Sequence, residues 1–269
     1  MADRAYQFGF IGMGNMGYAI LKGLLKAYSP RNITFSARNQ EKIQDIAART
    51  DVEPSVNNKA CAASCKYLVL AVKPQQFDVV IDEIRYVVEE DQIIISIAPG
   101  ITIENLKERF GKACRIVRAM PNTPALVGEG MTGVSYCREE LSEEEVTVLK
   151  KFFEAFGRMT VVEEKLMDAV VCASGSSPAY VYMFIEALAD SVVKYGIPRA
   201  DAYQLVAQTV LGSAKMVLET GEHPGLLKDK VCSPGGTTIA GVSALEEHGL
   251  RNALFKATDA CYEKCTRIE

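Results

Sequence analysis

Short apolar runs alternate with longer amphipathic stretches through the first half of the chain. The apolar runs are rich in β-branched and aromatic residues and cover residues 7–11, 33–37, 67–72, 93–97 and 115–120. The stretches between them have the spacing of amphipathic helices and cover residues 15–28, 40–48, 75–88 and 102–110. Strands that are apolar along nearly their whole length are typical of parallel sheets covered by helices on both faces. The pattern therefore predicts an α/β fold with a doubly wound, mostly parallel sheet.

Strand-like runs end soon after the middle of the chain. Two further strands are predicted at residues 131–137 and 159–162, on either side of a helix that Ser142 can cap. Beyond Glu163 helical periodicity dominates, and it predicts helices over residues 164–173, 177–195, 199–220, 223–230, 237–248 and 251–267. We therefore expect an α/β domain over residues 1–163 and an all-α domain over residues 164–269.

The helix predicted at residues 177–195 is apolar on most of its sides. Glu186 and Asp190 interrupt it, and both would be costly at the centre of a bilayer, so we expect no membrane span. In a domain of this size, such a helix indicates that a second subunit buries part of its surface. The sequence therefore predicts a homodimer formed through the helical domain.

The composition is that of a globular protein, with 269 residues, 48% of them hydrophobic and 24% charged. The formal net charge is -4 and no cluster of Lys and Arg stands out, so we do not expect a nucleic-acid partner. Residues 1–6 are charged and lead directly into a strand, without the pattern of a signal or transit peptide. A cytoplasmic protein is expected.

Eight cysteines are scattered along the chain, and two pairs, Cys61/Cys65 and Cys261/Cys265, have the spacing of one helical face. Zinc sites usually need two close ligand pairs that converge, and only two histidines could assist. We therefore predict reduced, structural thiols and no metal site.

A glycine-rich motif, Gly12-Met13-Gly14-Asn15-Met16-Gly17, follows the first predicted strand and opens the first predicted helix. In a dinucleotide-binding turn the first glycine turns the chain, the second lets the backbone approach a pyrophosphate, and the third lets helix pack on strand. Free amides at the start of the helix bind the anion. The context predicts a Rossmann domain that binds a nicotinamide dinucleotide, with a simple tight turn as the alternative.

The end of the second predicted strand indicates which dinucleotide binds. NAD-binding domains usually place a carboxylate there for the ribose 2′-hydroxyl, whereas this chain offers Ser36 and Arg38. Arginine binds phosphate oxygens in a bidentate way, so we predict NADPH, with NADH possible. The alternative is that Arg38 is a solvated loop charge.

Later strands end in turn residues at the same predicted edge of the sheet, where we expect them to line the cofactor. These segments are Ala71-Val72-Lys73-Pro74, Ala98-Pro99 and Met120-Pro121-Asn122-Thr123-Pro124. A proline after a strand also commonly just begins a turn or helix, and that alternative stays open for each segment.

A second candidate anion site lies in the helical domain. The run Cys232-Ser233-Pro234-Gly235-Gly236-Thr237-Thr238 directly precedes an amphipathic helix and surrounds its unpaired amides with glycines and hydroxyls. Such a helix start can hold a carboxylate or a phosphate. The alternative is a glycine-rich helix cap.

Residues 231–246, which contain this run, closely resemble the signature of the pyrroline-5-carboxylate reductase family. The resemblance extends over essentially the whole chain, with the blocks in the order of the family. The other blocks are Phe10-Ile11-Gly12-Met13-Gly14-Asn15-Met16-Gly17, Ala71-Val72-Lys73-Pro74, Met120-Pro121-Asn122-Thr123-Pro124 and Ala173-Ser174-Gly175-Ser176-Ser177-Pro178-Ala179-Tyr180. Ser177 departs from the pattern, since many members have glycine there.

The resemblance implies reduction of 1-pyrroline-5-carboxylate to L-proline with NADPH or NADH, the last step of proline biosynthesis. It implies that Asn58 touches the adenine-side ribose and that residues 120–124 lie by the nicotinamide. For the substrate it implies a carboxylate pocket at the Gly-Gly-Thr-Thr turn, with one residue facing the imine nitrogen. The carboxylate pocket residues are Gly235, Gly236 and Thr237 with Ser233 nearby, and the residue facing the nitrogen is Thr238. It also implies dimers, often assembled into larger rings.

Two alternatives compete with this prediction. β-Hydroxyacid dehydrogenases, which with imine reductases share a Rossmann domain followed by helices, carry a catalytic lysine four residues after a glycine near the start of the helical domain. Four residues after Gly175 stands Ala179, which disfavours dehydrogenase chemistry. A non-catalytic NADPH-binding regulator would have no use for the Gly-Gly-Thr-Thr turn.

Overall fold

An eight-stranded sheet forms the first part of the protein, in the strand order β3-β2-β1-β4-β5-β6-β7-β8. The computed structural model describes residues 4–111 and 114–267, so the first three residues of the charged N-terminal segment lie outside it. The strands are β1 Tyr6–Ile11, β2 Ile33–Ser36, β3 Glu53–Pro54, β4 Cys65–Leu70, β5 Ile93–Ser96, β6 Arg115–Met120, β7 Gly130–Tyr136 and β8 Gly157–Val161. Only β6 and β7 pair antiparallel among these strands, which confirms the predicted mostly parallel sheet.

Helices cover both faces of the sheet. They are α1 Asn15–Leu24, α2 Gln40–Thr50, α3 Asn58–Ser64, α4 Phe77–Ile84, α5 Ile103–Phe110 and α6 Glu143–Glu154. Phe8 and Phe10 of β1 belong to the core shared with α1, α2 and α6, whereas Ile11 belongs to the core shared with α3, α4 and α5. This alternation along a mostly apolar strand is the reason that the sequence pattern predicted a sheet buried on both faces.

Two elements beside the second strand were not predicted. The strand β3 has only two residues, and it pairs with β2 at the edge of the sheet. The helix α3 begins after Asn57, whose side chain accepts a hydrogen bond from the backbone N–H of Ala60. An asparagine cap followed by alanines was the available signal, but the helix is too short for its periodicity to be visible.

The segment that follows β8 differs from the single helix predicted over residues 164–173. It consists of a 3-10 turn at Glu164–Leu166, the short helix α7 at Met167–Val170 and a π-helix at Val171–Gly175. The N–H of Ser176 donates to the carbonyl of Val171 over 2.8 Å, which is a π-type bond across five residues. Periodicity indicates helix here, but it does not distinguish these three helical forms.

Contacts divide the chain into two compact units, of which the second covers Ser177–Cys261 and the first comprises the residues before it and those from Tyr262 on. The remaining helices are α8 Ser177–Val193, α9 Arg199–Thr220, α10 Pro224–Val231, α11 Thr237–Glu247 and α12 Leu250–Cys265. The small core of the second unit contains Ala189, Ala202 and Val206. Many large apolar side chains are instead exposed there, including Met183 at 67% and Phe255 at 71%.

Within residues 4–111 and 114–267, no helix is both long enough and apolar enough to cross a membrane.

Candidate active site

The three motif glycines form the turn between β1 and α1, and each has a different surrounding. Gly12 has a φ of 97°, and a Cβ there would lie 2.7 Å from the carbonyl oxygen of Ala71. A Cβ on Gly17 would lie 2.7 Å from the carbonyl oxygen of Gly12, so helix and strand approach too closely for a side chain. A Cβ on Gly14 would meet no atom of the described residues within 4 Å. Gly12 therefore turns the chain and Gly17 permits close packing of the helix, as predicted, and the turn is open at Gly14.

The carboxyl ends of neighbouring strands converge on this turn. The N–H of Gly12 donates to the carbonyl of Ser36 over 2.9 Å, and the N–H of Ala71 donates to the carbonyl of Ile11 over 2.9 Å. Other predicted lining residues directly follow β4 and β5 at the same edge of the sheet: Val72, Lys73, Pro74, Ala98 and Pro99. The structure thus brings these segments together, although their contact with a cofactor stays a prediction.

The start of α1 fits the pyrophosphate of a dinucleotide. Gly14 is the N-cap, and within the described residues no side chain accepts a hydrogen bond there from the amides of the first turn. The first-turn amides at Asn15 and Met16 therefore lack a capping side chain, and the space beside Gly14 is open. A reduced nicotinamide dinucleotide bound here would supply hydride, and the residues of this turn would hold its diphosphate.

A chain of hydrogen bonds crosses the end of β2. The Ser36 hydroxyl donates to Oδ1 of Asn58 over 2.7 Å, and Nδ2 of Asn58 donates to Oε2 of Glu83 over 2.6 Å. Arg38 is exposed, and neither a hydrogen bond nor an ion pair is found for it in the described part of the chain. Its guanidinium is therefore available to a phosphate. Glu83 was not predicted, because it lies on α4, far along the chain from β2.

The segment after β6 is tied to the π-helix. Asn122 is 8% exposed, its Oδ1 accepts from the N–H of Met131 over 2.9 Å, and its Nδ2 donates to the carbonyl of Ser174 over 3.0 Å. A Cβ on Gly175 would lie 3.0 Å from Cε of Met120. The Asn122 side chain thus connects the backbone of β7 at Met131 to the backbone of the π-helix at Ser174. Binding of the nicotinamide by Met120, Pro121 and Asn122 stays a prediction.

The second candidate site lies within the helical unit, at the start of α11. Gly235 has a φ of 66°, and the N–H of Gly236 donates to the carbonyl of Ser233 over 3.0 Å. Gly236 is the N-cap of α11, and as a glycine it has no side chain that could accept a hydrogen bond from the first-turn amides. Thr237 and Thr238 are exposed. The turn therefore offers backbone amides and hydroxyls to an anion, as the sequence predicted.

Two predicted structural cysteines lie beside β1, one on α3 and the other at the start of β4. Cys61 and Cys65 are both fully buried, and the Cys61 thiol donates to the carbonyl of Phe10. Burial raises the pKa of Cys61 to about 12 and that of Cys65 well above its usual range. Both thiols are therefore protonated near neutral pH and pack as neutral groups.

Family models match both parts of the chain. Residues 7–100 match the description NADP oxidoreductase, coenzyme F420-dependent, and residues 164–268 match pyrroline-5-carboxylate reductase dimerisation. The first match contains the β1–α1 turn, and the second contains the turn before α11. A dinucleotide-binding domain followed by a helical region that matches a dimerisation family is thereby confirmed.

Four relatives illustrate the similarity over nearly the whole chain. The pyrroline-5-carboxylate reductase of Escherichia coli K12 is 45% identical over 97% of this chain and 98% of its own, and that of Methanosarcina acetivorans is 40% identical over 97% of each. The solved reductase from Coxiella burnetii is 34% identical with a TM-score of 0.91 over 98% of both chains. The Plasmodium falciparum enzyme, solved with NADP bound, is 32% identical with a TM-score of 0.83 over 97% of both. This chain therefore belongs to the pyrroline-5-carboxylate reductase family.

Proposed function

We propose that this protein reduces 1-pyrroline-5-carboxylate to L-proline with hydride from NAD(P)H. One observation carries the proposal: a chain similar to named reductases over its full length retains two anion-binding helix starts, at α1 and at α11. One start suits the diphosphate of a dinucleotide and the other a small carboxylate. A regulator that only binds NADPH would need the first alone.

NADPH is the proposed cofactor, with NADH as a second donor. Arg38 is exposed beside the end of β2, where a 2′-phosphate would lie if the diphosphate binds at Gly14. Asn58 and Ser36 would meet the adenine-side ribose. The segments that follow β4, β5 and β6 would line the remainder of the dinucleotide, up to the nicotinamide at Met120 and Pro121.

The substrate carboxylate would bind at the start of α11. The N–H of Gly236 already donates to the carbonyl of Ser233, so the free amides are those of Thr237 and Thr238 in the first turn of α11. No described side chain caps this turn, so a carboxylate there gains hydrogen bonds and the favourable end of the helix dipole. Gly235 gives the turn its left-handed conformation, and the Ser233 hydroxyl lies beside Gly236. Holding the carboxylate fixes the position of the ring.

The reaction converts the C=N bond of the substrate into a C–N bond. Hydride adds to the ring carbon, and the nitrogen carries a proton, either before this addition or during it. We assign to the Thr238 hydroxyl a hydrogen bond to that nitrogen, which orients the ring and gives the proton a path to water. Placing the ring carbon roughly 3 to 3.5 Å from the hydride donor provides most of the required rate enhancement.

We also propose a homodimer formed through the helical unit. The match to a dimerisation family over residues 164–268 and the exposed apolar side chains of α8 and α12 support this assembly. A domain boundary at Glu163 agrees with the start of that match, although contacts divide the chain later, at Ser177. The net charge of -4 gives no reason to expect nucleic acid. Eight free cysteines suit a reducing, cytoplasmic environment.

The direct test is a spectrophotometric assay of the purified protein. Adding 1-pyrroline-5-carboxylate to protein and NADPH should remove the absorbance of the reduced cofactor, with one proline formed for each NADPH consumed. A β-hydroxyacid dehydrogenase would instead reduce NADP⁺ in the presence of a β-hydroxy acid. A regulator would bind NADPH without consuming it, and either of these two results would refute the proposal.

A further inference from the structure

Glu83 is connected to the proposed ribose site through one amide. It lies on α4, and its Oε2 accepts a hydrogen bond of 2.6 Å from Nδ2 of Asn58. Oδ1 of the same amide accepts a hydrogen bond of 2.7 Å from the hydroxyl of Ser36. Asn58 is partly exposed and Ser36 is 4% exposed. The two hydrogen bonds therefore lead inward from Glu83 at the surface to Ser36 at the end of β2.

The chemistry of the three groups fixes the direction of these hydrogen bonds. An ionised carboxylate only accepts, so the NH₂ group of Asn58 must face Glu83. The carbonyl of Asn58 must then face Ser36, and the single hydroxyl hydrogen of Ser36 must point at it. Ser36 therefore presents only lone pairs to any group on its other side. Of the two N–H bonds of Asn58, one is used by Glu83.

This arrangement affects which ribose can bind. The 2′-hydroxyl of an unmodified ribose donates a hydrogen bond and therefore needs an acceptor. In NAD-binding domains a carboxylate is that acceptor. A 2′-phosphate only accepts hydrogen bonds and carries negative charge, so it needs donors and positive charge. Arg38 supplies these. Glu83 opposes them, because it withdraws donor hydrogens from Ser36 and Asn58 and places a carboxylate behind the amide.

We infer that Glu83 is a positioning residue that, through Asn58, holds the Ser36 hydroxyl as an acceptor and so limits the preference of the enzyme for NADPH over NADH. The inference rests on the proposed function, since it assumes that the cofactor ribose lies at Ser36 and Asn58. Arg38 and Glu83 then act in opposite directions on the same choice of cofactor. Both cofactors stay usable because neither group acts alone.

The test is the ratio of kcat/KM for NADPH to that for NADH, measured in wild type and in Glu83→Gln. A glutamine can offer either oxygen or nitrogen to Asn58, so the amide can turn and the Ser36 hydroxyl can donate to a phosphate. We expect the ratio to rise by about tenfold, the scale of one charge-assisted hydrogen bond. Asp82→Asn is the matched control, because Asp82 is the exposed neighbour on α4 and pairs with Arg85. That variant should leave the ratio within twofold of wild type.

A second background separates hydrogen bonding from charge alone. In Ser36→Ala the hydroxyl is absent, so adding Glu83→Gln should change the cofactor ratio by no more than about twofold to threefold. If Glu83→Gln changed the cofactor ratio equally in wild type and in Ser36→Ala, the inference would be overturned. It would also be overturned if Glu83→Gln alone left the ratio unchanged. Dissociation constants for NADPH and NADH without substrate supply an independent measure of the ratio. A wild-type protein that binds neither cofactor would refute the proposed function as well.

Discussion

Gly12, Gly14 and Gly17 lie in one turn, yet they exclude side chains for different reasons. At Gly12 and Gly17 the obstacle is the protein itself, since an added Cβ would lie 2.7 Å from a backbone oxygen in each case. At Gly14 the described residues present no obstacle within 4 Å. A requirement for glycine there would therefore come from a bound dinucleotide, as proposed. The turn can therefore be altered in ways that separate folding from binding.

Gly14→Ala should fold normally and bind NADPH poorly. The N-cap has a φ of -71°, which alanine adopts without strain, but its methyl group would occupy the space needed by the diphosphate. We expect the thermal midpoint to stay within about 2 °C of wild type and the NADPH dissociation constant to rise by at least about tenfold. Thermal unfolding and fluorescence titration measure the two quantities.

Gly12→Ala is the contrasting variant, because it combines a left-handed φ with a backbone clash. It should unfold at a distinctly lower temperature, by the equivalent of about 1 to 3 kcal/mol. If Gly14→Ala bound NADPH as tightly as wild type, the diphosphate would not lie at the start of α1.

Thr238 is the residue on which the proposed handling of the imine nitrogen depends. Thr238→Ala should lower kcat by about 10- to 100-fold, because the nitrogen loses an oriented hydrogen bond in the transition state. The NADPH dissociation constant should not change. Thr238→Ser retains the hydroxyl and should recover most of the rate. Steady-state kinetics with each variant make the comparison, and wild-type turnover in Thr238→Ala would remove Thr238 from the mechanism.

The sequence revealed these residues to different degrees. The glycine motif could be interpreted because its spacing and its position between strand and helix carry a steric meaning. Glu83 could not, because nothing in the order of residues indicates that α4 lies against the side chain of Asn58. Asn122 was predicted to bind cofactor, but no sequence pattern shows that its amide already joins Met131 to Ser174.

At the scale of elements, a charged cluster connects the amino ends of β1, β4 and β5. Arg4, just before β1, forms two hydrogen bonds of 2.6 Å with the carboxylate of Asp91, just before β5. Lys66 of β4 lies 3.7 Å from the same carboxylate. The hydrogen bond from Arg4 is the main reason that the pKa of Asp91 is lowered to about 2. The cluster thus stabilises the sheet at the amino ends of its strands.

This lowered pKa predicts how stability depends on pH. The ionised carboxylate stabilises the fold fully above its unfolded pKa of 3.8, and this contribution is lost as pH falls towards about 2. After allowance for solvent, since the side chain is 35% exposed, Asp91→Asn should cost about 1 to 2 kcal/mol at pH 7. The difference from wild type should shrink as the pH is lowered from 4 towards 2.

Denaturant unfolding at several pH values measures this difference. Asp45→Asn is the control, because Asp45 and Arg49 form an ion pair in which both side chains are more than half exposed. It should have little effect at any pH. An Asp91→Asn difference that did not vary with pH would contradict the ion-pair explanation.

At the level of elements, prediction succeeded where burial was uniform. The strands β1, β2, β5 and β6 are apolar and nearly fully buried, so composition alone marks them within about two residues of their ends. The strand β3 and the helix α3 are too short to show a period. The π-helix at Val171–Gly175 depends on which carbonyl each N–H finds, and residue types do not determine that choice.

For the whole molecule, the helical unit predicts association. Its few buried residues contrast with the exposed apolar side chains of α8, α9 and α12, which in a stable enzyme need a covering surface. The sequence indicated this through a helix that is apolar on most sides. It could not indicate which side chains meet the partner, because that depends on the structure of two chains together.

Met183→Glu should weaken the dimer. Met183 of α8 is 67% exposed in the single chain, and a carboxylate there would be buried without a partner in an apolar interface. We expect the dimer dissociation constant to rise by at least about 100-fold, as measured by size-exclusion chromatography with light scattering over a dilution series. Tyr86→Glu changes an 80% exposed side chain of the first unit and should leave association unchanged. A wild-type protein that is a stable 29.4 kDa monomer would refute the dimer.

The central claim is that two helix starts, one holding a dinucleotide and one holding a small cyclic acid, serve a single hydride transfer. A crystal structure with NADP⁺ and L-proline bound together tests it most directly. We predict the proline carboxylate at the Gly235–Thr238 turn, on the first-turn amides of α11, with its ring roughly 3 to 3.5 Å from the nicotinamide of its own or of a partner subunit. Proline bound elsewhere, or a Gly235–Thr238 turn remote from every nicotinamide ring, would contradict the claim.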